Sequence, residues 1–179
     1  MNRLFKTKFG WCGIVFDNDV IREIVLPSPD KKKILQRLRK RGNKINSATF
    51  RQGTPATGLV KGLKRYFNGE KVDFRNRIDL RDYSDFEQAV YKTLVAIPYG
   101  RVRTYQWVAQ RIGNSGASRA VGNALAKNPL PIIIPCHRII KSDGSPGNFS
   151  AIGGTNLKKK LLELENAVPK GFGMSKENY

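Results

Sequence analysis

The sequence predicts an α+β protein: a small N-terminal α/β domain with an antiparallel hairpin sheet, then a mostly helical C-terminal domain containing a helix-turn-helix. Three observations carry this expectation. Short β-rich apolar runs flank a polar turn near the N-terminus, in "WCGIVFDNDVIREIVLP". From Ser84 onward, apolar residues recur at helical spacing between cap and stop residues. The reading changes after Arg81, so the expected domains are residues 1–81 and 82–179.

Taken in order, Trp11 to Pro27 reads as a hairpin turning at Asp17-Asn18-Asp19, with Pro27 and Pro29 closing it. "KKKILQRLRKRG" places Ile34, Leu35 and Leu38 along a short basic amphipathic helix that stops at Gly42. A Gly/Ser/Thr/Pro-containing stretch runs to Gly58. "GLVKGLKRYFNGE" is then a second helix ended by Asn68-Gly69, and "KVDFRNRIDL" alternates like a strand. No catalytic motif falls in this half.

The second half opens on Ser84-x-x-Glu87, a capping box whose two side chains satisfy free N–H groups at a helix start. Phe86, Val90, Leu94 and Val95 share one face of that helix, and Pro98-Tyr99-Gly100 ends it. Thr104 caps a brief helix, "YQWVAQRIG", stopped by Gly113. "NSGASRAVGNALAKNP" supplies a turn and another helix, ended by Asn128-Pro129. Two short helices across a Gly-containing turn fit a DNA-binding helix-turn-helix or an ordinary helical hairpin. In the second helix Ala117, Ser118, Ala120, Gly122, Ala124 and Ala126 are small, with Arg119 the lone long cation among the first of them. Such a surface fits close approach to a neighbouring helix or to the walls of a DNA groove, which a single arginine could enter. "NLKKKLLELENA" is a last helix, expected to be capped by Asn156.

Composition narrows the function classes. Of 179 residues 40% are hydrophobic, enough to bury a core. Lys and Arg number 33 against 14 Asp and Glu, a net charge of +19. That excess favours a polyanion, either nucleic acid or an acidic membrane surface; a lysine-rich solvated face is the plainer reading. No run approaches the ~20 apolar residues of a membrane span, and the N-terminus carries no signal-peptide pattern. Two cysteines make no disulfide framework, so free thiols in a reducing cytosol or nucleus are expected.

"NPLPIIIPCHRIIKSDG", Asn128 to Gly144, sets the only histidine directly after one of the two cysteines, inside an apolar run cut by prolines. A thiol is a nucleophile only as thiolate, and a nearby imidazole can take its proton directly or through one water. Adjacent residues on a straight strand face opposite ways, so a direct Cys136–His137 contact needs a turn. Cys136 as a small buried hydrophobe is an equally open reading. Four zinc ligands are not on offer from one His and two distant Cys.

"IPCHR" at Ile134–Arg138, preceded by "SRAVGNALAKNPLPI" and followed by "GNFS", closely resembles the O6-alkylguanine-DNA alkyltransferases, the methylated-DNA–protein-cysteine methyltransferases. The likeness runs from "IPYGRVRTY" through "LLELE"; the first half matches only as a hairpin plus helices. The resemblance implies single-turnover repair of O6-alkylguanine, and of O4-alkylthymine, in duplex DNA bound through its minor groove with the damaged base turned out. Cys136 would attack the alkyl carbon and be left irreversibly alkylated. His137 would be its base through water, oriented by Glu165, with Glu163 the alternative. Tyr105 would help rotate the nucleotide and meet the flipped base, and Asn128 would tie the recognition helix to the active-site loop. Arg119 would fill the gap in the base stack, beside Ala117, Ser118, Ala120 and Gly122 against the DNA. Ile139, Leu125, Gly147, Asn148, Phe149 and Ser150 would shape the base pocket. Phe149 stands where many relatives carry tyrosine. With Cys12 alone and no histidine in the first domain, no zinc is expected there, and Cys12 reads as a core residue. The resemblance further implies no cofactor, no metal, a monomer, double-stranded DNA containing alkylated guanine as partner, no membrane, and a cytoplasmic location, nuclear in a cell with a nucleus.

Overall fold

The computed structural model describes residues 2–17, 20–40, 55–74 and 78–167. Three strands, β1 (Asn2–Thr7), β2 (Gly10–Asp17) and β3 (Val20–Ser28), form an antiparallel sheet in that order. The expected hairpin is β2–β3, with Ile14 opposite Ile24. Its turn residues Asn18 and Asp19 lie outside the described residues. β1 is an addition, since "NRLFKT" carries too few apolar residues to announce a strand. Both faces of β2 are covered. Cys12, Ile14 and Phe16 enter the main core, while Val15 joins a second cluster with Val25, Ile34 and Leu38. A strand buried on both faces reads as a continuous apolar run, which is what "CGIVF" is.

Helix α1 (Lys31–Lys40) lies on that second face. Asp30 caps it, accepting a 2.8 Å bond from the Lys32 N–H. Gly13 allows the close approach: a Cβ there would sit 3.0 Å from Leu38 Cδ1. The expected stop at Gly42 lies outside the described residues. Helix α2 (Pro55–Phe67) starts three residues before the expected stretch, with proline at its first position, where the missing N–H costs nothing. It buries Leu59, Val60, Leu63, Tyr66 and Phe67. The described residues of the strand expected over "KVDFRNRIDL", 71–74 and 78–80, are irregular, and 75–77 lie outside the described residues. Val72, Phe74, Ile78 and Leu80 instead pack individually on the core, so alternation here reflects side-chain burial without strand pairing.

In α3 (Asp85–Val95) the capping box forms as expected, the Ser84 hydroxyl accepting from the Glu87 N–H and Glu87 accepting from the Ser84 N–H. Its buried face is Val90, Tyr91 and Leu94; Val95, placed there from the sequence, is 47% exposed. Tyr91 takes that place because its hydroxyl reaches the Ala124 carbonyl at 2.9 Å. Helix α4 (Tyr105–Arg111), capped by Thr104, and helix α5 (Ser118–Ala126) pack as the helix pair across the turn at Gly113. Helix α6 (Gly154–Leu164) begins at Gly154 after a left-handed Gly153, so Asn156 lies inside it and does not cap it. One hydrophobic cluster runs from Phe5 through Leu63 and Tyr91 to Leu161, joining both halves of the chain. Among the described residues no helix is long and apolar enough to cross a membrane.

Candidate active site

The cysteine is placed by a turn. After Pro135, residues Cys136–Arg138 form a single 3-10 turn, and Ile139–Ile140 then pair as a short parallel strand (β5) with Arg103–Thr104 (β4). The turn sends neighbouring side chains in different directions. Cys136, 4% exposed, edges a cavity, while His137 is wholly buried behind it. Asn128 holds this loop to the end of α5. Its Nδ2 donates to the Ile134 carbonyl at 2.8 Å, and its Oδ1 accepts from the Leu130 N–H at 3.0 Å.

Behind the cysteine, the Glu165 carboxylate at the C-terminal end of α6 gathers a buried network. Oε1 lies 2.8 Å from His137 Nε2 and accepts from Tyr66 Oη at 2.7 Å and Arg138 Nη2 at 2.9 Å. Oε2 accepts from Arg138 Nε at 2.8 Å and the Gly100 N–H at 3.1 Å. Burial alone would raise the Glu165 pKa, but the bonds and charges of His137 and Arg138 outweigh it and hold the carboxyl well below its usual range. An ionised carboxylate only accepts, so Nε2 of His137 carries the proton. Burial, only partly opposed by Glu165, pushes the imidazole below its ordinary value. It is neutral near pH 7, with Nδ1 as its basic nitrogen, and Nδ1 is buried with no hydrogen-bond partner.

The cysteine is shifted the opposite way. Burial raises its pKa, opposed by the Asn128 amide, the Lys158 charge and the N–H groups of Cys136 and His137. A resting neutral thiol therefore faces a neutral base. Lys158 is itself 1% exposed, donates to the Ile139 carbonyl at 2.5 Å, and stands 5.9 Å from the rings of both Tyr105 and Phe149. Burial lowers its pKa to about 8, and it still supplies positive charge beside the sulfur at neutral pH.

The cavity in front of Cys136 holds about 780 Å³ and is lined from α4, α5 and the loop after β5. Of the expected residues it brings together Cys136, Tyr105, Ser118, Arg119, Gly122, Leu125, Gly147, Asn148, Phe149 and Ser150. Arg119 is exposed at its edge. The Tyr105 hydroxyl reaches the loop at Gly147, where φ is +69° and a Cβ would come within 2.8 Å of Oη. Only glycine fits there. Ala117 is half-buried against the core, Ala120 is exposed on α5 outside the lining, and Ile139 is buried with its carbonyl bonded to Lys158. Glu165 reaches His137, whereas Glu163 is exposed. Cys12 is a core residue, as read.

Three contributors escaped the sequence reading: Lys158, Tyr66 and Arg138. Lys158 had a signal, since it sits four residues before Leu162 on the apolar side of α6 while Lys160 is exposed. Tyr66 had none, and Arg138, though it ends the quoted motif, had none that pointed to Glu165, because both roles come from long-range contact. Among the described residues no cluster of His, Cys, Asp and Glu is arranged to hold a metal ion.

Residues 85–167 match the family described as 6-O-methylguanine DNA methyltransferase, DNA binding domain. A methylated-DNA–protein-cysteine methyltransferase of Mycobacterium tuberculosis is 47% identical over 111 residues, which cover 62% of this chain and 66% of the relative, just under two thirds. One from Saccharolobus islandicus is 43% identical over 124 residues, covering 69% of this chain and 74% of the relative. The crystal structure of Mycobacterium tuberculosis OGT in complex with DNA superposes with a TM-score of 0.70 at 33% identity, covering 95% of both chains.

Proposed function

Since the chain belongs to the methylated-DNA–protein-cysteine methyltransferase family, we propose that it repairs O6-alkylguanine, and O4-alkylthymine, in double-stranded DNA by one irreversible transfer to Cys136. The observation that carries this reading is the cysteine at the edge of a cavity of about 780 Å³, ample for an extruded base, with a neutral, carboxylate-anchored imidazole behind it.

The proton moves first. His137 takes it from the thiol at Nδ1 through a bridging water, and Glu165 and Lys158 stabilise the resulting charges. The sulfur then attacks the alkyl carbon: an S–C bond forms, the C–O6 bond breaks, and guanine leaves carrying the electron pair. Tyr105, with its hydroxyl in the cavity, supplies a proton to the departing base and recovers one from the imidazolium side through solvent. The product is a thioether, which no ordinary reductant reverses, so each molecule acts once. No cofactor takes part in this scheme.

DNA would lie across α5 in its minor groove, with the small residues Ala117, Ser118, Ala120 and Gly122 near the sugar-phosphate walls and Arg119 in the place of the extruded nucleotide. Oxidation of the thiol would remove the nucleophile, so a reducing compartment, cytoplasm or nucleus, suits free Cys136.

The test is incubation with a duplex carrying O6-methylguanine, followed by peptide mapping. A methyl group on the Cys136 peptide is expected, and Cys136→Ala should bind DNA without transfer. Lesion binding by the wild-type chain with no modified peptide would overturn the reading in favour of a non-catalytic lesion binder. Arg119→Ala should slow transfer from duplex more than from the free base O6-benzylguanine; equal losses would remove its role in the stack.

A further inference from the structure

Glu165, His137 and Arg138 all come from the second half of the chain, but one member of their buried network does not. Tyr66 lies on α2, near its end, is 1% exposed, and donates its hydroxyl to Glu165 Oε1 at 2.7 Å. The Tyr66 hydroxyl oxygen also stands 3.3 Å from His137 Nε2. Because the carboxylate only accepts, the phenolic proton points to Glu165 and a phenolic lone pair faces the Nε2–H. The ring is fixed edge-on to Phe67 at 5.3 Å and to Tyr99 at 6.2 Å between centroids, so the hydroxyl has no freedom to leave.

We propose that Tyr66 is a positioning residue for alkyl transfer: by donating to Glu165 and facing His137 Nε2, it sets the orientation and basicity of His137, so that seating of α2 completes the active site. This rests on the alkyl-transfer reading only for its rate consequence. Its effect on the imidazole stands independently.

The groups that face His137 are Glu165 from the end of α6, Lys158 from within α6, Arg138 and Cys136 from its own turn, and Tyr66 from α2. Tyr66 acts on this set in two opposing ways. Its donated bond draws electron density from the carboxylate and weakens Glu165's hold on an imidazolium. Its lone pair favours the Nε2–H. The donated bond is the shorter and is charge-assisted, so it dominates. Removing the hydroxyl therefore makes imidazolium easier to form, and the base is lost to protonation at higher pH.

The chain contains a single histidine, so ¹⁵N-histidine labelling reports His137 alone. In Tyr66→Phe, which keeps the ring packing, the imidazole is expected to titrate at higher pH than in the wild type. The maximal single-turnover rate with O6-benzylguanine should fall about tenfold, because the imidazole and its carboxylate lose the contact that fixes their orientation, a loss that outweighs the stronger base. The acid limb of the rate profile should move with the titration, while affinity for undamaged duplex stays the same. A tyrosine serving only packing would leave titration, rate and profile unchanged in Tyr66→Phe, and that result overturns the proposal. Placing 3-fluorotyrosine at position 66 strengthens the donor without altering the fold and should shift the titration to lower pH. If Tyr66→Phe does not fold, that sign decides, and an unchanged or opposite shift overturns the proposal. Should the wild type transfer no alkyl group, the proposed function fails, yet the imidazole titrations still decide the role of Tyr66.

Discussion

Lys158 is the side chain whose removal separates chemistry from stability most cleanly. Its depressed pKa of about 8 means the folded chain holds the cation at a cost. That cost is present below pH 8 and fades as pH rises toward the unfolded value of about 10.5. Lys158→Met fills the same volume without charge, so the melting temperature at pH 7 should rise by a few degrees, as for other buried cations replaced by apolar groups. The Cys136 thiolate loses the favourable charge of Lys158 at the same time. Transfer at pH 7 should drop about tenfold, since Lys158 is one of the groups that favour the thiolate and its loss leaves less of the reactive form. A variant both less stable and equally active would contradict the placement. His137 and Glu165 work in the other direction. Both have folded pKa values below their unfolded ones, so stability is complete above about pH 6.5. It is lost first as the unfolded-state imidazole protonates and then below about pH 4.5 as the unfolded-state carboxyl does. The urea midpoint should therefore fall between pH 7 and pH 5, and His137→Gln should remove that first step.

At the scale of elements, what was readable depended on whether the determinant was local. The α3 capping box lies within four residues, and the sequence alone located it; Ser84→Ala should cost about 1 kcal/mol by urea denaturation. Cys136, His137, Tyr105 and Arg119 were legible because one motif-rich stretch carries them and α4, α5 and the 3-10 turn are built from short-range signals. The described residues 71–74 and 78–80 of the expected strand form none, because alternation records burial on two sides and is silent about a pairing edge. Val95 was misplaced because period alone cannot see that Tyr91 has a distant carbonyl to reach. Gly147 shows how an element outside regular structure can still be tightly determined. Gly147→Ala would put a methyl into the left-handed region and against the Tyr105 hydroxyl. Transfer should fall at least tenfold with little change in melting temperature, since the loop after β5 is partly exposed. Wild-type activity in that variant would show that Tyr105 does not need its observed position.

Across the whole molecule, two features act together. The hydrophobic cluster that joins the sheet, α2, α3 and α6 makes the N-terminal half part of the support on which the active-site turn rests. The chain carries a net charge of +19, and among the described residues Lys32, Arg37, Arg101, Arg119, Lys127 and Lys141 are exposed. Exposed cations stabilise a fold little and repel one another, so an excess of this size is explained better by a polyanion than by the fold itself. Phosphate neutralisation releases counterions, and the logarithm of affinity then falls with the logarithm of salt at about −0.9 per phosphate contacted. Six contacts would reduce affinity for an undamaged duplex by about a thousandfold between roughly 50 and 200 mM salt. Lys141, exposed at the cavity rim, is expected to make one of them. Lys141→Gln should therefore lower the slope by about one and weaken binding to damaged and undamaged duplex alike, leaving the rate with free O6-benzylguanine untouched. A salt-independent affinity would remove DNA as the reason for the charge, whatever the cysteine does.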